Sequence, residues 1–155
     1  PIYLVKVKRL SIAFAGVLGA LSLAIGIPAA VFAGWLADRF NPRMVNSVYF
    51  LILTGSFILS GFANVLWQTI LALLVLSWIL LGALPVIVKL GSDQFPSEMR
   101  TSAYGVVFAI GFGGGALGPA IFGYIADIAS FEWSFYFVAG LSLLGVLLST
   151  GTRNP

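Results

Sequence analysis

Gly34-Trp35-Leu36-Ala37-Asp38-Arg39-Phe40-Asn41-Pro42-Arg43 sets one acid and two arginines directly after a long uncharged apolar run. Charged side chains are costly within lipid, so a cluster beside such a run belongs at the water interface. This turn therefore marks the end of a membrane span, and the rest of the chain divides in the same way. A weaker copy recurs as Gly123-Tyr124-Ile125-Ala126-Asp127.

The composition agrees. Hydrophobic residues make up 60% of the chain, charged residues only 8%, and the mean hydropathy is +1.07. About a quarter of residues are charged in soluble domains, so a water-soluble core is excluded. Eight basic and five acidic residues leave uncharged stretches at 10–37, 44–88, 101–126 and 133–152. A spanning helix needs roughly 20 apolar residues. The second stretch is long enough for two, and Gly61-Phe62-Ala63-Asn64 before Trp67-Gln68 supplies an interfacial break. Five helices are expected, over 12–36, 45–63, 67–88, 102–126 and 133–150. Together they form one all-α, polytopic membrane unit over 1–155.

Basic residues scattered over helix ends form no stripe for nucleic acid, so the lipid bilayer is the expected environment. The chain has no Cys and no His, which excludes thiolate and imidazole metal sites. Counting alternate helix ends puts Arg39, Arg43, Lys89, Arg100 and Arg153 on one side, and Lys6, Lys8 and Arg9 on the other. Five against three makes the first side cytoplasmic.

An internal repeat carries more information than the charges. Gly16 and Gly105, Gly26 and Gly115, Gly34 and Gly123, Ala37 and Ala126, and Asp38 and Asp127 all match at one interval, 89 residues, without gaps. The first helix then equals the fourth and the second equals the fifth, giving units of three helices. Three is odd, so the second unit inserts upside down relative to the first, the inverted-repeat plan of secondary transporters. The first unit lacks its opening helix, whose tail would be Pro1-Ile2-Tyr3-Leu4-Val5. The chain reads as a piece of a longer polypeptide, which would supply the remainder.

Gly34, Leu36, Ala37, Asp38, Arg39, Phe40 and Arg43 resemble motif A of the major facilitator superfamily, and Phe95-Pro96-Ser97-Glu98-Met99-Arg100 before a Gly-rich helix resembles the later cytoplasmic turn of that family. The resemblance covers nearly the whole chain. It implies half of a twelve-helix transporter less one helix: helices eight to twelve, or alternatively two to six. It further implies a small solute as ligand and a gating role for the turn, with Asp38 pairing to a helix N-terminus or basic side chain and Gly34 allowing close helix approach. Asn41 stands where the family usually has Gly and Pro42 where a basic residue is usual. Asn tolerates the left-handed backbone that Gly would supply.

Gly113, Gly115 and Gly118 match a dinucleotide fingerprint formally, but they sit inside a membrane-spanning run, so no nucleotide cofactor is expected. Gly111, Gly114, Gly115, Gly118 and Pro119 read instead as a helix-packing surface. Pro28, Pro85 and Pro119 fall inside spans and bend them. Ser22, Ser77 and Trp78 are the candidates for lining a cavity, although a Ser hydroxyl also bonds readily to its own helix. No ionisable residue lies near the middle of a span, which argues against an enzyme. Two functions remain: alternating-access transport, favoured by the repeated turn, and a non-transporting structural or sensory subunit.

Overall fold

The computed structural model describes residues 2–63 and 65–151. Pro1, Asn64 and Arg153, read above as a helix tail, an interfacial break and a topology charge, lie outside them. The elements are α1 (Ile2–Lys6), α2 (Ile12–Arg39), α3 (Pro42–Gly61), α4 (Leu66–Gln94), a 3-10 turn (Ser97–Met99), α5 (Arg100–Ile128) and α6 (Phe131–Gly151). Five of these helices are long and apolar enough to cross a membrane. The chain is all-α among the described residues, and it is a multi-pass membrane protein.

Local chemistry sets the helix ends. Ser11 caps α2 by accepting from the Phe14 N–H at 3.2 Å. Asn41 caps α3 by accepting from the Arg43 N–H at 3.0 Å, and Pro42 occupies the first helical position, where a missing N–H costs nothing. Asn41 has φ −58°, so it caps a helix and does not take the left-handed backbone expected from Gly at that place. Arg9, at φ 54°, is the one non-glycine residue with positive φ among those described. Charge ends the lipid-embedded part of a helix but not its hydrogen bonding, so α4 continues through Lys89 to Gln94.

Packing is uneven. α2 lies along α4, and α3 lies along both α4 and α6. The main core joins α2, α3 and α4 through Ala33, Ala37, Val45, Tyr49, Leu53, Leu76, Ile79 and Val86. A smaller core sets Leu4 of α1 against Ala15 and Leu18 of α2. On α2 the buried face is a run of small residues, Gly26, Ala29, Ala33 and Ala37, which lets backbones approach where lipid provides no hydrophobic drive. By contrast α5 buries none of its residues. It touches α4 at one end, where Tyr104 donates to the Val88 carbonyl at 2.7 Å. At the other end Ser134 of α6 donates to the Phe122 carbonyl at 2.9 Å.

Candidate functional site

At the end where α2 and α4 finish together, Asp38 meets Lys89, with carboxylate oxygen and Nζ 3.2 Å apart. The helices run parallel, so each contributes its final turns, and the pair closes the seam between them. Lys89 is 41% exposed and Asp38 69%, so water and salt screen the attraction to below about 1 kcal/mol. Such a pair is weak enough to break and strong enough to bias two packings.

The turn is braced from both sides. Arg39 lies 4.8 Å from the centre of the Trp35 ring, and Trp35 in turn stacks on Phe32 at 5.9 Å. Ala37 is buried in the α2–α3–α4 core, and Leu36 packs against that core. Arg43 enters α3 behind Asn41, and its carbonyl accepts from Ser47. A Cβ on Gly34 would sit 3.8 Å from Pro85, an ordinary contact, so the closest approach lies elsewhere. It lies at Gly26, whose place for a Cβ is taken by Leu81, and at Gly82, where Tyr49 would stand 2.7 Å away. Leu81 thus enters a notch on α2, while its neighbour Gly82 opens a notch for α3.

The repeated turn is arranged differently. Asp127 has no ion pair among the described residues, and Gly123 faces open space. Gly111, Gly114, Gly115 and Gly118 likewise have nothing within 4 Å of the place a Cβ would take, and Pro119 beside them is exposed. These residues form one uncovered surface, and no partner within the described residues packs on it.

The polar cavity candidates separate. Ser22 donates to the Leu18 carbonyl at 2.8 Å and Ser77 to the Leu73 carbonyl at 2.9 Å, so both hydroxyls are spent on their own helices. Trp78 is half-buried and stands 6.3 Å from Phe32. Both rings line an apolar groove of about 440 Å³ bounded by α2, α3 and α4. Tyr49 also lines it, buried, with a hydroxyl that has no hydrogen-bond partner. Between α3 and α6, Asn46 donates to the Ser149 hydroxyl at 2.7 Å.

Sequence reasoning missed Lys89 as the partner of Asp38. The signal was present: Lys89 is the first charge after one uncharged run, as Asp38 is the first after another. The chemistry available here is the making and breaking of one ion pair between helix ends. Among the described residues no group of His, Cys, Asp or Glu could hold a metal.

The family model described as Major Facilitator Superfamily matches residues 1–155. The 4-hydroxybenzoate transporter PcaK of Pseudomonas aeruginosa is 31% identical over 88% of this chain and 30% of its own length. "Probable sulfoacetate transporter SauU" of Cupriavidus necator is 30% identical over 76% of this chain and 27% of its own. The glycerol-3-phosphate transporter of Bacillus subtilis is 26% identical over 83% of this chain and 30% of its own. The chain therefore spans under a third of the length of these relatives. No solved structure matches it.

Proposed function

Since the chain belongs to the Major Facilitator Superfamily, we propose that the polypeptide carrying it is a secondary transporter that moves a small solute by alternating access. The single observation behind this reading is the Asp38–Lys89 pair, a screened contact joining two helices at one membrane face, inside a turn that recurs at 89 residues. A pair of this strength suits a latch that forms in one packing and parts in the other. Gly34, Leu36, Ala37, Asp38, Arg39 and Arg43 make up the latch turn, while Gly123 and Asp127 hold the equivalent place on the opposite side.

The chain supplies helices eight to twelve of the twelve, with the turns at Asn41 and Ser97 in the cytoplasm. The remainder of the polypeptide completes the cavity and, for an ion-coupled transporter, the coupling residue. The named relatives carry chemically different solutes, so no solute transfers from their names. Transport, and not catalysis, fits spans whose middles lack any titratable group.

The test is solute uptake by the longer polypeptide with Asp38→Asn, which keeps size and removes charge. Uptake falls while membrane accumulation holds, and Lys89→Gln reproduces the loss. Equal uptake by wild type and both variants, at matched accumulation, would return the turn to a topology anchor and favour the structural-subunit reading. Single Cys residues placed at positions 41 and 130 report orientation: an impermeant thiol reagent on intact cells labels 130 and spares 41.

A further inference from the structure

The 89-residue interval governs the fold as well as the sequence. α2 ends at Arg39 and α5 at Ile128; α3 begins at Pro42 and α6 at Phe131. Each of these pairs differs by 89. The α3–α6 seam shows the symmetry directly. Its cross-pairs Asn46–Ser149, Phe50–Gly145 and Gly61–Tyr136 form an antiparallel ladder centred on Leu53 and Ser142. Those two central residues are both buried and differ by the same interval, so a two-fold exchanging the units runs between them.

Under that two-fold, α5 must be covered as α2 is covered. On α2, Gly26 receives Leu81 of α4. On α5, the equivalent Gly115 receives nothing. The uncovered stretch lies between two interfaces already formed by the same helix, Tyr104 on α4 and Phe122 on α6, and is continuous with both. What stands in the place of α4 is visible only as α1. Leu4 of α1 buries against Ala15, just as Gly91 near the end of α4 packs against Tyr104, which is the equivalent of Ala15.

We propose that the face of α5 carrying Gly111, Gly115 and Gly118 is covered by an apolar transmembrane helix of the same polypeptide. This helix continues α1 toward the N-terminus and lies along α5 as α4 lies along α2. The two-fold also sets the register: the partner of Gly115 is the ninth residue before Pro1, the place that corresponds to Leu81, and it is a large aliphatic side chain. This rests on the reading of the chain as part of a longer polypeptide and is independent of any solute.

The experiment is disulfide cross-linking in membranes containing the longer polypeptide. The chain itself has no Cys, and any upstream Cys is first replaced. Gly115→Cys is paired in turn with Cys at each of the eighth to tenth residues before Pro1, and Gly26→Cys with Leu81→Cys is the reference. An intramolecular cross-link at one of those places, comparable to the reference pair, is the expected result. Cross-linked dimers through position 115 would show that a second copy covers α5 and overturn the proposal. Free alkylation of position 115 by a lipid-permeant thiol reagent, with no cross-link, would overturn it equally. Should the double variants fail to accumulate, Gly115→Leu alone decides: roughly fivefold lower accumulation, matching Gly26→Leu, is expected, and unchanged accumulation overturns the proposal. Because cross-linking is read without a solute, a failure of the transport reading leaves this result intact.

Discussion

α2 and α5 have nearly the same length, matching glycines at three corresponding places and an Asp at the same terminal position, yet one is a packed helix and the other a bare one. Gly26 is filled and Gly115 is empty; Asp38 has Lys89 and Asp127 has no ion pair among the described residues. The difference is not in the helices themselves. It follows from which of them has its neighbour present, for α4 supplies both Leu81 and Lys89. In a membrane, a glycine contributes only through what enters the notch it leaves.

The largest effect should come from closing the filled notch. Gly26→Leu drives new atoms into Leu81 with α4 fixed behind it, and overpacking of this kind costs about 1–3 kcal/mol or more. Gly16→Leu, on the same helix with nothing within 4 Å, should be within about 0.5 kcal/mol of wild type. Thermal denaturation in detergent compares the two, and equal loss would mean that glycine content, not the notch, decides the contrast.

Next comes the pair of corners that lead into α2 and α5. Arg9 holds a left-handed backbone, whereas Glu98, its equivalent at 89 residues, lies in a 3-10 turn. Arg9→Gly should therefore raise stability by about 0.5–1 kcal/mol through relief of the Cβ contact. The matching Glu98→Gly has no such strain to relieve and should not stabilise. A lower melting temperature for Arg9→Gly would show that the corner needs its side chain more than its backbone freedom.

A smaller effect is expected at the two acids. Asp38→Asn should cost about 0.5 kcal/mol, since the pair with Lys89 is largely exposed. High salt should erase the difference from wild type. Asp127→Asn should change stability by less than that, and a salt-sensitive loss there would reveal an ionic partner outside the described residues.

Much of this was legible in the residues. Clustered charges delimited five helices, because lipid forbids charge inside a span. The repeat gave the inverted plan, because matched glycines at one interval survive any error in helix ends. The contacts were harder to read. Ending α4 at 88 left Lys89 in a loop, out of reach of Asp38, whereas the helix in fact runs to Gln94. The density of glycines at 111–118 drew attention to the uncovered face, while isolated Gly26, Gly61, Gly82, Gly91 and Gly145 take the tight contacts. Spacing cannot report these, since they depend on a bulky residue of another helix: Leu81, Tyr136, Tyr49, Tyr104 and Phe50 respectively. Asn41 was read as a substitute for Gly, but its amide oxygen makes it a helix cap.

Leu81 and Gly82 are consecutive, one a protrusion into α2 and the other a recess for Tyr49 of α3. An axial slip of α4 by one residue, about 1.5 Å, would lift Leu81 from its recess and drive Tyr49 into backbone at the same moment. Two meshed teeth on adjacent residues remove sliding as a mode of motion for these three helices. They can travel only as one body, so shape change must be taken up where they meet something else.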